Sequence, residues 1–238
     1  MAEPETHERK PALLELVRTR LNGGAWALVL LVTIELATTF LSKDLSATRL
    51  MDDGHRPLYD SVWFGVIVTL LLGTTLLWIS NAAERLSQAI LLSTSVFTAQ
   101  LFVATMLVVV RLVQGWKVSV GTLILDAVII FATNVLVFAL WYWLLDAASA
   151  SVVETRPSTR WHFLFPQRQS DFPGYAGWTP DFLDYLFLAY TTSVAFSPTD
   201  TLPLSRVAKV LMMAQSTIAL ITITVVAGTA INVLSSNA

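Results

Sequence analysis

The sequence predicts an all-α membrane protein with five membrane-spanning helices and a short re-entrant helix before the last span. Only 13% of the 238 residues are charged, whereas a soluble domain has about 25%. The mean hydropathy is +0.64, and the apolar residues gather in stretches long enough to cross a bilayer, which takes about 20 residues. One apolar stretch, just before the last span, is too short to cross.

The composition also excludes several classes of function. A net charge of −2 predicts no nucleic-acid partner. Without cysteine, the chain has no disulfide, thiol nucleophile or cysteine-bound metal. The three histidines are scattered, and no nucleophile–base pair or phosphate-binding loop is visible. We therefore expect no metal, no cofactor and no enzymatic activity.

The N-terminal half is predicted to form a three-helix membrane bundle over residues 23–118, after a cytosolic or interfacial segment at 1–22. Glu35 lies near the middle of the first span, where a carboxylate costs about 2.5–3.5 kcal/mol on insertion scales. The three spans are expected at 24–42, 61–81 and 88–110.

The C-terminal half, residues 119–238, is predicted to form one module. It begins with a fourth span at about 120–145. A long polar loop at 147–180 follows, and its prolines and aromatic residues predict a compact cap on the membrane face.

The last part of this module contains the short apolar stretch. A helix is predicted over 181–190, with Thr179 as its N-cap and proline at its first position. A polar turn, TTSVAFSPTD, follows at 191–200, and a last span covers 204–234. At membrane depth such a turn is tolerated only where it is buried in protein or lines water. A short helix, a polar turn and a full helix in this order are typical of a pore loop.

The segment TTSVAFSPTD followed by TLPLSRVAKVL resembles the pore region of tetrameric potassium-type cation channels, over less than a quarter of the chain. The matching positions are the two threonines before the filter, its valine, its aromatic residue, the acid at its outer end and the following proline and base: Thr191, Thr192, Val194, Phe196, Asp200, Pro203 and Arg206. The resemblance implies a homotetramer in membrane lipid that conducts monovalent cations past backbone carbonyls. The phrase AFSPTDTLPLSRVAK also resembles uncharacterised actinobacterial membrane proteins, which implies a multi-pass protein of a bacterial plasma membrane.

Two departures from the channel pattern predict a filter that is not selective for potassium. Ala195 and Ser197 replace the two glycines that let the backbone alternate in handedness, which other residues resist by roughly 1–2 kcal/mol each. We therefore expect a wider passage in which Asp200 attracts cations. Its predicted lining is Thr191, Thr192, Ser193, Val194, Ala195, Phe196, Ser197 and Thr199. The alternative is a turn closed by Phe196 and Pro198, which would make the protein a non-conducting scaffold that binds partners.

Polar side chains within the predicted spans are further candidates for function: Glu35, Asp126, Asn134, Gln215 and Asn232. The two acids would mark a proton or cation path through a transporter, or else hydrogen-bond as neutral acids to neighbouring polar groups. Asn134 is one of the possible partners of these acids, and Gln215 and Asn232 on the last span would line a cavity or join helices. The sequence has no inverted repeat and no pair of broken helices of the kind that transporters use.

Two arguments about orientation conflict. With the N-terminus in the cytoplasm, ten of the 15 lysines and arginines are cytoplasmic, as the positive-inside rule favours. Five spans then place the turn on the cytoplasmic side, opposite to potassium channels. We give the charge distribution the greater weight. The third and fourth spans contain no row of arginines, so we expect no voltage sensor.

Overall fold

The structure, a computed structural model, describes residues 29–30, 32–33, 56–79, 83–114, 120–153, 161–168, 174–175, 178–197 and 200–236. Within these residues the chain is mostly helical. Its elements are α1 (Arg56–Ile79), α2 (Ala83–Val113), α3 (Val120–Val153), β1 (Phe163–Leu164), a 3-10 turn (Pro166–Arg168), α4 (Phe182–Ala195), β2 (Leu202–Pro203) and α5 (Arg206–Ser236).

Three of these helices are long and apolar enough to cross a membrane: Gln88–Val110 in α2, Leu123–Asp146 in α3 and Arg206–Val225 in α5. The prediction of a helical membrane protein is confirmed to this extent. In α1 the residues whose side chains are described include a shorter apolar stretch, Phe64–Leu77. The predicted first span at 24–42 and its Glu35 lie outside the described residues, apart from four positions. Five spans therefore remain a prediction.

Helix α3 is the centre of the bundle and packs against α2, α4 and α5. Its residues from Val135 to Leu140 are all buried, as expected for a helix covered on several sides. The indole Nε1 of Trp141 donates a hydrogen bond of 2.9 Å to Thr98 Oγ1 and so joins α3 to α2. Large apolar side chains are exposed on every long helix of the bundle, which suits a lipid environment.

Only parts of the loop predicted at 147–180 are described, and α3 extends further into it than expected. Residues 147–153, predicted as loop, continue α3 to Val153. Beyond them, β1 pairs antiparallel with β2, with Phe163 opposite Pro203. Phe163 and Phe165 pack against Tyr185 at the start of α4, with ring centroids 6.4 Å and 5.4 Å away. This aromatic cluster holds the cap over the ends of α3 and α4.

The turn predicted over 191–200 is wrong in its first half, because α4 continues to Ala195. The sequence has no glycine or proline between Asp181 and Ser197 that would end the helix earlier. Packing of α4 against α3 and α5 supports the extra turn. The N-cap of α4 is Asp181 rather than Thr179. The Asp181 carboxylate accepts the N–H of Leu183 at 2.8 Å, and Asp184 accepts the N–H of Asp181 at 2.7 Å, which forms a capping box.

Candidate functional site

Helix α4 begins at the cap and ends at the level of the middle of the spans. At its start, the hydroxyl of Tyr185 donates to Asp146 Oδ2 at 3.0 Å, and Asp146 is the last residue of the α3 span. Near its end, Ser193 lies beside Asn134 and Gln215. Asn134 is midway along the span Leu123–Asp146, and Gln215 is midway along Arg206–Val225. The 14 residues of α4 measure about 21 Å, less than the thickness of a hydrocarbon core.

The chain then returns to the end from which α4 started. Strand β2, only a few residues after α4, pairs with β1 in the cap. The backbone N–H of Leu204 donates to His162 O at 2.9 Å, and the N–H of His162 donates to Asp146 Oδ1 at 3.0 Å. Helix α5 therefore begins at the same end of the bundle as α4.

Gln215 joins three helices at the level of the span midpoints. Its amide Nε2 donates to Ala189 O at 2.7 Å and to Ser193 Oγ at 2.8 Å, both on α4. Its Oε1 accepts from the hydroxyl of Tyr142 on α3. All of these side chains are fully buried. Each hydrogen bond therefore gives a partner to a polar group that water does not reach. The Gln215 amide, predicted either to line a cavity or to join helices, joins α3, α4 and α5 of the same chain.

Asn134 completes this network from α3. Its Nδ2 makes two longer hydrogen bonds, to Ser193 Oγ at 3.4 Å and to the backbone oxygen of Gln215 at 3.3 Å. Its Oδ1 and the hydroxyl of Thr192 are buried and have no hydrogen-bond partner among the described residues. The network thus holds the end of α4 through Ser193. The Oδ1 atom of Asn134 can still accept a hydrogen bond.

The residues of the predicted passage differ in burial. Thr191 Oγ1 donates back to Phe187 O at 2.9 Å, and the side chains of Thr192 and Ser193 are buried within the chain. Thr192 and Ser193 therefore face the interior of the chain, whereas Thr191 is half-buried. The exposed residues at the end of α4 are Val194, Ala195, Phe196 and Ser197. Thr199 lies outside the described residues, and the side chain of Asn232 is also not described.

Phe196 ends α4 in the left-handed region, with φ 54° and ψ 20°. It is the only non-glycine residue with positive φ in the described part of the chain. The channel pattern would require this conformation at Ala195 or Ser197, but Ala195 is helical. The left-handed residue is therefore Phe196, one position away from each of the two glycine positions, 195 and 197, that the resemblance implied.

The cap contains a contact between two residues, His162 and Ser205, to which the sequence assigns no role. His162 Nδ1 lies 2.6 Å from Ser205 Oγ, and Ser205 Oγ accepts the N–H of Ala208 at 3.1 Å as the N-cap of α5. Burial raises the pKa of Asp184 in the first turn of α4, although the N–H of Asp181 that it accepts lowers the pKa. Asp200 is exposed at this end of the bundle. No sequence pattern linked His162 to Ser205, because the pairing depends on β1 meeting β2.

Asp126 does not belong to the Gln215 network. It is buried in the first turns of the α3 span, eight residues or about 12 Å along the helix from Asn134. In the part of the chain that the structure describes, no three His, Asp or Glu side chains cluster as metal ligands.

In comparisons with known proteins, the chain matches no family model, and neither a curated protein nor a solved structure is similar to it.

Proposed function

We propose that this protein is a subunit of a homo-oligomeric, tetrameric cation channel in a bacterial plasma membrane, and that it has no enzymatic activity. Monovalent cations pass along the end of α4 and the segment that leads from it to β2. In this proposal α4 is a re-entrant helix, and the complete fold has five spans. The resemblance of TTSVAFSPTD to channel pore regions supports the same function.

One observation favours this function above others: α4 ends at the level of the span midpoints with non-helical, exposed residues. Phe196 and Ser197 are exposed in the single subunit. Non-helical backbone at that depth cannot face lipid, since each unsatisfied N–H or C=O costs several kcal/mol there. It has to be covered by protein or to line water. An oligomer that surrounds a water-filled axis satisfies both conditions.

The direction of α4 favours cations over anions. A helix has about half a negative charge at its C-terminal end, where the last carbonyls have no helical partner. The C-terminal end of α4 lies at the depth where water is scarcest and an ion costs most. No lysine or arginine occurs in the sequence between Arg168 and Arg206 to oppose a cation there.

The length of the connection suits a passage through half of the membrane. Six residues lead from Phe196 to Leu202 in β2, and an extended chain of this length reaches about 20 Å. Asn134 and Asp146 are separated by about 18 Å along α3, which is nearly the same distance. Asp200 is near the cap end of this path, where a ring of carboxylates would concentrate cations.

The inward direction of Thr192 and Ser193 favours a second candidate, a closed scaffold that binds a partner protein. In the scaffold the Gln215 network would serve only to pack α4. A proton-coupled transporter has less support, because Asp126 lies apart from the exposed end of α4.

The first experiment measures cation flux from proteoliposomes with potassium, sodium and a large organic cation. We expect similar flux of potassium and sodium, because the filter glycines are absent. Asp200→Asn should lower the flux at low salt and have less effect at high salt, where charges are screened. Asp181→Asn is the matched control, since it removes another exposed carboxylate at the cap but keeps a good N-cap.

A second experiment locates the path in the cysteine-free chain. In Ser197→Cys, a charged, membrane-impermeant thiol reagent should block most of the flux, because it places a cation at the exposed end of α4. The control is Val128→Cys on α3, which is 60% exposed. Unchanged flux after complete modification of Ser197→Cys would place the path elsewhere, and absence of flux in every condition would favour the scaffold.

A further inference from the structure

His162 joins the cap to α3 and α5 and, through Asp146, to α4. Its backbone N–H donates to Asp146 Oδ1 at 3.0 Å, and its backbone oxygen accepts the N–H of Leu204, just before α5, at 2.9 Å. The other carboxylate oxygen of Asp146 accepts the hydroxyl of Tyr185 on α4. The imidazole ring adds a contact with Ser205 Oγ. Among these contacts, the ring contact is the one that depends on whether the imidazole is protonated.

Ser205 bonds the ring and caps α5 with the same oxygen atom. Its Oγ lies 2.6 Å from His162 Nδ1 and accepts the N–H of Ala208 at 3.1 Å. A neutral ring can accept the hydroxyl hydrogen at Nδ1, which leaves the lone pairs of Oγ for Ala208. In the charged ring both nitrogens carry hydrogen, so Nδ1 can only donate. Protonation therefore leaves the hydroxyl hydrogen without this acceptor and makes Oγ accept from two N–H groups.

The charge of a protonated ring would also lie beside the unfavourable end of α5. The N-terminal end of a helix carries about half a positive charge, so a cation there is repelled. Arg206 and Lys209, both exposed in the first turns of α5, add to this repulsion. Asp146 attracts the charged ring from α3, because the two groups are close enough to interact electrostatically. A charged ring is thus drawn away from Ser205 and towards Asp146.

Other charged groups on the elements around the ring bear on the same balance. Among the described residues they are Arg168 on the 3-10 turn, Asp181 and Asp184 at the start of α4, and Asp200 just before β2. Arg168 interacts with both Asp146 and Asp184, so it offsets part of their negative charge. Burial raises the pKa of Asp184, so this carboxyl also takes up a proton as the pH falls. Its effect has to be separated from that of His162.

We propose that His162 is a pH sensor that holds the start of α5 to the cap when its ring is neutral and releases it when the ring is protonated. Histidine side chains change charge between about pH 5 and 8. The N-cap of α5 is therefore complete at the upper end of this range and is lost as the pH falls through it. Because the proposed cation path runs along the segment before β2, release of α5 would also change the flux. That consequence rests on the proposed function, whereas the sensor itself does not.

Hydrogen exchange at the Ala208 amide, measured in detergent at about pH 7.5 and about pH 5, tests the sensor. The variant His162→Asn has an amide that can accept the same hydroxyl hydrogen but does not titrate. The double variant His7→Asn/His55→Asn is the matched control, because it leaves His162 as the only histidine of the chain. Comparison of the chains at the same pH removes the pH dependence of the exchange reaction itself.

We expect exchange at Ala208 at the lower pH to be about five-fold faster in the unsubstituted chain than in His162→Asn, which is the effect of losing one N-cap. At the higher pH the two should agree, and the double variant should match the unsubstituted chain throughout. Equal exchange in the unsubstituted chain and His162→Asn at both pH values would overturn the sensor. A pH response confined to the amides of Leu183 and Asp184 would overturn it in favour of Asp184.

A second measurement applies if His162→Asn does not fold. In the double variant, NMR of labelled histidine follows the titration of the His162 ring alone. The midpoint of this titration should coincide with the midpoint of the loss of protection at Ala208, and separate midpoints would overturn the sensor. Ion flux is not part of either readout, so failure of the proposed channel would leave the sensor intact.

Discussion

At the scale of single residues, the side chain of Gln215 forms hydrogen bonds with two other helices. It bonds to Ala189 and Ser193 on α4 and accepts from Tyr142 on α3, with a fully buried side chain. A glutamine in the middle of an uncharged helix is conspicuous in the sequence, but its partners are not. Its structural role is to position the end of α4.

Replacing Gln215 with leucine should lower the free energy of unfolding by about 2 kcal/mol. Side-chain hydrogen bonds between membrane helices average about 0.6 kcal/mol, and the substitution removes the three described above. Thermal or denaturant unfolding in detergent measures the loss. The control is Thr217→Val, an exposed residue that bonds only to Met213 O of its own helix at 2.8 Å. Equal losses in both variants would show that the network does not hold α4.

The left-handed backbone conformation of Phe196 should lower the stability of the fold, and substitution can measure this strain. Phe196→Gly should raise the stability of the subunit by up to about 1 kcal/mol, because glycine adopts positive φ without strain. The Phe196 side chain is 43% exposed, so its removal loses only the apolar contacts of the part that is buried. Val194→Gly, two residues earlier within the helix, should instead lower stability by about 1 kcal/mol. If both variants lose stability to the same extent, Phe196 does not end the helix in the left-handed conformation.

At the scale of elements, α4 depends on its two ends, because a helix of 14 residues is marginal by itself. Its N-terminus is closed by the capping box of Asp181 and Asp184, and its last turns are held by Gln215 and Asn134. The sequence predicted Thr179 as the N-cap, whereas the structure has Asp181, two residues later. Which of the two residues caps α4 depends on where the chain that leaves the cap begins to pack against α3.

Substitution of the two candidate N-caps distinguishes them. Asp181→Ala should destabilise α4 by about 1 kcal/mol, since it leaves the N–H groups of Leu183 and Asp184 without their acceptor. Thr179→Ala should have little effect. Hydrogen exchange at the amides of Leu183 and Asp184 measures the change locally and should be faster only in Asp181→Ala. The reverse result would restore Thr179 as the N-cap.

At the scale of the whole molecule, the return of the chain to the cap distinguishes this arrangement from a simple row of spans. The antiparallel pair of β1 and β2 and the bond from Leu204 to His162 tie the start of α5 to the cap from which α4 starts. A helix that crossed the membrane would instead leave its two flanks on opposite sides.

Cysteine accessibility in sealed vesicles checks this topology. Thr179→Cys and Leu204→Cys, which flank α4, should react with an impermeant thiol reagent from the same side. Val113→Cys, at the exposed far end of α2, should react from the other side. Reaction of Thr179→Cys and Leu204→Cys from opposite sides would mean that α4 crosses the membrane and would remove the basis of the proposed pore.

The sequence by itself determined the helical membrane class and the positions of three spans, because hydropathy over about 20 residues is a local property that any fold has to satisfy. It also identified Asn134 and Gln215 as polar residues within apolar spans, and placed Ser193 in a polar turn. Tertiary structure decided which way they point and where α4 ends. Asn134 and Ser193 are 59 residues apart, and Gln215 is 22 residues beyond Ser193. Hydrogen bonds over such separations depend on how whole helices pack, so the threonine-rich stretch expected as a turn became the last turn of a helix.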